Sequence, residues 1–329
     1  LLEAIVASSA RKPRAPLVHF FSAHLRYGDI MSTYTAHSVN TSRLEIEYLE
    51  WNPEGQRTAV LVHGWPDSVR TWFTTAPLLA SAGYRVIAPS VRGYAGTRFL
   101  SADTPRSGQL AALGRDLVEF VQMLKLDRPV LVGHDWGARA VAIAGALVRG
   151  IGSHLVMVSV GYGTNDPSQP ISLQQAKNYW YHWYMDTPLG AKSLAEDRRG
   201  FARIMWDTWA PPGWYDEEEF EATAKAFDNP DWVSVVLTSY RHRWGLVAGD
   251  PAYDADEAAL KPLPILDAPM LVLHGVEDGV NPVHSSAGKE RWFNGPYKRV
   301  VLEGLGHFPQ RESPQRIADE ILAFCGRAD

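Results

Sequence analysis

The apolar positions of the chain change rhythm along its length, and each change predicts a different kind of element. From Arg43 they alternate through Leu44, Ile46 and Tyr48, the period of a strand with one face exposed. A second strand is expected at Thr58 to Val62. Short apolar runs and helix-length stretches then take turns: strands at Tyr84 to Ala88, Pro129 to Val132 and His154 to Val158, helices at Leu110 to Leu126 and Ala138 to Val148. This alternation predicts an α/β fold, a mostly parallel central sheet with helices on both faces.

The rhythm stops between about Gly161 and Pro264. That interval is rich in helix formers and aromatic rings, is broken by Pro188, Pro211-Pro212 and Pro230, and contains no convincing buried strand. The alternation resumes with strands at Met270 to His274 and Arg299 to Leu302 and a last helix from Pro314 to Phe324. A helical insertion between two sheet strands would cover the carboxyl edge of the sheet, where open α/β folds bind ligands. The expected organisation is a core domain from residues 31–160 and 265–329 with an inserted helical cap domain at 161–264. Residues 1–30, apolar and then basic with no clear period, are expected to be a mobile, dispensable extension, without the continuous apolar region of a signal peptide.

Composition removes several classes of function. With 329 residues, 46% of them hydrophobic, the chain can bury a sizeable core. A net charge of -5 without long charge runs argues against nucleic acid as a partner, and no apolar stretch approaches the length of a membrane span. The single cysteine, Cys325, excludes an intrachain disulfide framework and suits a reducing, cytoplasmic setting. Eleven histidines are present, but no ligand spacing supports a metal, so neither a metal nor a cofactor is expected. Twelve tryptophans and thirteen tyrosines exceed what a core needs, and they crowd between Tyr162 and Trp244. Either they line a cavity or they glue the helices onto the sheet.

The candidate chemistry lies at strand ends. The segment GHDWGARA, at 133 to 140, directly follows an apolar run and has the form of the strand-to-helix turn G-x-S-x-G, with Asp135 in the serine's place. His63-Gly64-Trp65-Pro66 follows another strand, Asp278 a third and His307 the last. The order nucleophile, acid, histidine is that of the α/β-hydrolases. A carboxylate is a poor acyl-transfer nucleophile but a competent one for displacement at saturated carbon, so Asp135 would form an alkyl ester. His307 would then activate the water that hydrolyses that ester. By position, the backbone N–H groups of Trp65 and Trp136 would hold the ester's oxyanion. His63 and His274 also follow strands and read as structural histidines.

The motifs HGWPDS at 63 to 68, RGYAGT at 92 to 97, GHDWGA at 133 to 138, HGVED at 274 to 278 and GLGHF at 304 to 308 together resemble those of the α/β-hydrolase-fold epoxide hydrolases. The haloalkane and haloacid dehalogenases are cousins. The resemblance implies opening of a small apolar epoxide to a vicinal diol, with water as the second substrate. It implies Asp278 rather than Glu277 as the acid that orients His307. It also implies two cap tyrosines that serve the leaving oxygen: Tyr240, followed by Arg241, is similar to the second, and counting back from Pro188 selects Tyr181 for the first. His182, Trp183 and Trp244, from the same crowd of rings, are assigned to the substrate pocket.

Two other functions stay open at this point. A dehalogenase would cradle halide with side-chain N–H donors, and Trp136 could supply one, although Trp65 stands where many haloalkane dehalogenases carry asparagine or glutamate. A haloacid enzyme would want an arginine beside the nucleophile; Trp136 occupies that place, and only Arg139 fits the rest of the pattern. A binding protein of the same fold would not require Asp135, Asp278 and His307 together. A homodimer is compatible with the sequence.

Overall fold

The computed structural model describes residues 33–164 and 168–328, so the proposed extension at 1–30 lies outside the described residues. Nine strands form one sheet: β1 (Tyr34–Asn40), β2 (Leu44–Trp51), β3 (Arg57–Val62), β4 (Tyr84–Pro89), β5 (Arg98–Phe99), β6 (Val130–His134), β7 (His154–Val158), β8 (Met270–Gly275) and β9 (Tyr297–Leu302). Their order is β1-β2-β4-β3-β6-β7-β8-β9, with the short β5 paired to β2. Pairing is parallel from β4 through β9, whereas β1, β2 and β5 are antiparallel to their neighbours.

The continuous apolar runs found in the sequence are the central strands β3, β6, β7 and β8, which are covered on both faces. Alternate residues feed two cores. Val60, Leu131, Leu155, Met157 and Val272 face the side carrying α2 (Leu110–Met123) and α3 (Trp136–Leu147). Leu61, Val130, Val132, Val156 and Leu273 face the side closed by α1 (Thr75–Ser81) and by α12 (Pro314–Cys325), which follows the short α11 (Pro309–Glu312). β1 was not legible as a strand: six of its seven residues are exposed, so no apolar alternation marks it.

Between β7 and β8 the chain is helical: α4 (Leu173–Asn178), α5 (Trp180–Asp186), α6 (Pro188–Glu196), α7 (Arg198–Trp209), α8 (Glu217–Ala224), α9 (Trp232–Arg243) and α10 (Asp254–Ala259). Polar side chains start these helices. Ser172, Thr187, Asp197 and Asp216 each accept a hydrogen bond from a backbone N–H in the first turn of α4, α6, α7 and α8. Pro188, a break in the apolar pattern, sits in the first turn of α6, where its missing N–H costs nothing.

The insertion shares one apolar core with α2 and α3, and residues 32–329 form one compact unit. Polar ties fasten it to the sheet. Trp206 donates its indole N–H to the Pro66 carbonyl at 2.8 Å, and Asn229 donates to the carbonyls of Ala95 and Thr97. Arg311 forks onto the fully buried Asp67 and also reaches Glu219 on α8, which Arg70 grips in turn. Among the described residues no helix is long and apolar enough to cross a membrane.

Candidate active site

The carboxyl ends of β3, β6, β8 and β9 bring their loops to one place. Asp135 occupies the turn from β6 into α3 with φ 51° and ψ -110°, a left-handed backbone uncommon for any residue with a side chain. The tightness of this turn explains its glycines. A Cβ on Gly137 would lie 2.1 Å from the Val62 carbonyl oxygen, and one on Gly64 would lie 2.5 Å from the Asp135 Cβ. Strain and close packing together hold the carboxylate at the head of α3, where the positive end of the helix dipole favours its charge.

The two carboxylate oxygens have different surroundings. Oδ1 accepts a hydrogen bond from the Trp65 backbone N–H at 3.0 Å, while Oδ2 lies 3.8 Å from His307 Nε2. The Trp136 N–H, at the first position of α3, has no carbonyl one turn back to bond and stays beside the carboxylate.

His307 is fully buried and held from both sides. Its Nδ1 lies 2.8 Å from Asp278 Oδ2, and Asp278 Oδ1 accepts from the backbone N–H groups of Val280 and Asn281. Glu277 is exposed, so the geometry selects between the two acids of HGVED. Burial alone would raise Asp278, but the charge of His307 and hydrogen bonds from His274 and His307 outweigh it and hold the carboxyl below its ordinary range. Burial likewise lowers His307, and the charge and hydrogen bond of Asp278, helped by Asp135, raise it above the ordinary imidazole value.

Four supports of His307 were not visible in the sequence. His134 Nε2 and Ser159 Oγ each donate to the His307 carbonyl, at 2.7 and 2.8 Å. Burial and the nearby charge of His307 pull His134 down to about 4, so it is neutral at physiological pH. Glu312 accepts from the N–H groups of Gly306 and Phe308 on either side of His307. Trp209 of α7 accepts the His307 N–H on its carbonyl and lays its ring 4.9 Å from the imidazole.

The insertion contributes rings. Tyr240 on α9 is 1% exposed and its oxygen accepts the Trp136 indole N–H at 3.2 Å, which leaves the phenolic hydrogen available to another acceptor. Burial and the charge of Asp135 push Tyr240 above its ordinary value, so the hydroxyl is a protonated donor. Tyr181 on α5 stacks on Trp65 at 5.2 Å and meets Tyr240 edge-on at 5.3 Å. His182 lies against the Tyr240 ring at 4.5 Å and accepts the Trp244 indole N–H on Nδ1, which places the hydrogen of the neutral ring on Nε2. That Nε2 is buried without a partner. Trp183 is not brought to the centre: its indole donates to the Ala176 carbonyl and its ring packs against Trp244 at the surface.

The crowd of rings therefore surrounds Asp135, but it closes over it. Trp65, Tyr181, Trp209 and Tyr240 pack against one another, and Asp135 is 8% exposed. Beneath these rings the Asp135 side chain keeps 11% exposure. Among the described residues no group of three or more His, Cys, Asp or Glu side chains could hold a metal.

Residues 59–314 match the family model for the alpha/beta hydrolase fold. The chain is 34% identical to a "putative epoxide hydrolase" of Klebsiella pneumoniae whose crystal structure superposes with a TM-score of 0.83, covering 88% of this chain and 96% of that one. It is 25% identical to Epoxide hydrolase A of Mycobacterium tuberculosis over 89% of this chain and 98% of the relative. An epoxide hydrolase of Caballeronia sordidicola is 27% identical, over 92% and 96%.

Proposed function

The chain belongs to the α/β-hydrolase fold family, and from that premise we infer that it acts as an epoxide hydrolase, adding water across an oxirane to give a vicinal diol. The observation that supports this most is the pairing of Asp135, with one carboxylate oxygen on the Trp65 N–H and the other toward His307, with the protonated Tyr240 hydroxyl in the same closed shell.

In the reaction we propose, Asp135 Oδ2 attacks an oxirane carbon and the carbon–oxygen bond of the ring breaks. The departing oxygen takes a proton from Tyr240, with Tyr181 as second donor. The Trp136 indole, already on the Tyr240 oxygen, stabilises the phenolate left behind. Oδ1 becomes the carbonyl oxygen of the ester and stays on the Trp65 N–H, with the Trp136 N–H beside it. His307 then removes a proton from water, hydroxide adds to the ester carbon, and the intermediate collapses to Asp135 and diol. The proton held by His307 returns to Tyr240. Esterification removes one of the negative charges that raise His307, which shifts the imidazole toward its neutral, basic form.

A dehalogenase would use the Trp136 indole N–H for halide, and that group is engaged by Tyr240. We propose a cytoplasmic setting on the lone, buried Cys325, and residues 161–264 as the cap domain. Incubating purified protein with styrene oxide, a haloalkane and a haloacid side by side tests the reading. Diol is expected without added metal. Halide release with no diol would replace it with a dehalogenase.

A further inference from the structure

Among the described residues two arginines beside this site have no acidic partner, and the reaction above does not use them. Arg139 and Arg243 are each 7% exposed. The buried Arg92 and Arg311 both fork onto an aspartate, whereas among the described residues no carboxylate pairs with Arg139 or Arg243. Arg139 donates only to the Thr164 carbonyl, at 2.9 Å. Arg243 reaches Ser239 Oγ at 3.4 Å and lies over the Tyr240 ring, 4.8 Å from its centroid. The Nε of each is buried and unpartnered.

Burial and then the charge of Arg243 pull Arg139 down to about 10, so Arg139 stays cationic at neutral pH against a like charge. Such an arrangement is costly unless an anion joins it. The carboxylate that acts most strongly on Arg139 is Asp135, and the proposed ester would remove that charge.

Their places on the helices tie them to the reacting groups. Arg139 follows Asp135 by one turn of α3, its N–H on the Asp135 carbonyl, and Arg243 follows Tyr240 by one turn of α9. One arginine thus shares a helix with the proposed attacking group and the other with the proposed proton donor.

We propose that Arg139 and Arg243 form a subsite for a carboxylate carried by the substrate, and that the preferred epoxides are short epoxy acids rather than the purely apolar ones the ring-rich insertion suggests. This rests on the epoxide-opening reading. Charge-assisted hydrogen bonds from two guanidinium groups account for a preference of about 10 to 100 fold over an uncharged isostere.

The test compares glycidate with glycidamide on the full chain. The acid is expected to show the higher kcat/KM by that factor, mainly through KM, and Arg243→Gln or Arg139→Gln to bring the acid-to-amide ratio close to one. Arg243→Lys should keep part of the preference. A parent protein that opens the amide as well as the acid overturns the subsite and leaves the epoxide reading standing, and this comparison needs no variant to fold. Binding of propanoate and propanamide, followed by calorimetry, separates the two readings. If neither epoxide is opened, the epoxide reading falls. The subsite then survives only if the parent binds propanoate more tightly than propanamide and Arg243→Gln does not.

Discussion

Asp135, Asp278 and His307 stand at the ends of sheet strands, on backbone fixed by parallel ladders and by side chains such as His134, Ser159 and Glu312. Tyr181, His182 and Tyr240 stand on two helices of the insertion, seven and twelve residues long, whose inner face is held largely by ring against ring. The difference assigns the labour. The sheet edge holds charges at fixed separations, which covalent chemistry requires. The insertion supplies the proposed donors on a surface of packed rings over the sheet edge. Damage to the first region should therefore stop the chemistry, and damage to the second should slow it.

The largest effect should come from Asp135→Ala, which removes the proposed nucleophile without the slow reversion open to asparagine. Turnover should fall by about 10,000 fold or more. Steady turnover near the parent rate would place the nucleophile elsewhere. His307→Gln should fall by about 100 to 10,000 fold, and unlike the first variant it should accumulate the ester. Intact mass should then show the protein heavier by one substrate. Unmodified variant under saturating epoxide would mean that His307 acts before the ester forms.

Tyr240→Phe, in the insertion, keeps the ring and its packing and removes one donor to developing charge. Epoxide opening should slow by roughly 10 to 1000 fold while the unfolding temperature stays put. A loss as deep as that of Asp135→Ala would erase the distinction between the two regions. The smallest effect is that of pH. In the proposed hydrolysis His307 must be neutral to take a proton from water, and in the ester Asp278 still raises its pKa, so kcat should rise with pH as His307 loses its proton. Asp278→Asn removes the charge that holds the pKa up and should move this limb to lower pH, alongside its loss of rate. An unmoved limb would mean that another group titrates.

The same contrast governs what the sequence made legible. Asp135, Asp278 and His307 each follow an apolar strand within a few residues, so local pattern locates them. Tyr240 and Tyr181 came from family resemblance, because a helix of rings looks alike whichever ring turns inward. Pairings far apart in the chain carried no local signal. Asp67 meets Arg311 across 244 residues, Trp244 fixes the tautomer of His182 across 62, and the charge of Arg243 acts on Arg139 from another helix. β1 was silent because solvent reaches nearly all of it, and the role of the crowded rings stayed open because periodicity cannot say whether rings line a space or fill it.

The central claim is that the oxygen added to the substrate comes first from Asp135 and only afterwards from water. A single turnover in heavy-oxygen water, with enzyme in excess over epoxide, tests it directly. The diol should carry ordinary oxygen and the peptide containing Asp135 should gain one heavy atom. Heavy oxygen in the first diol, with the Asp135 peptide unlabelled, would mean that water attacks the epoxide itself and would contradict the account.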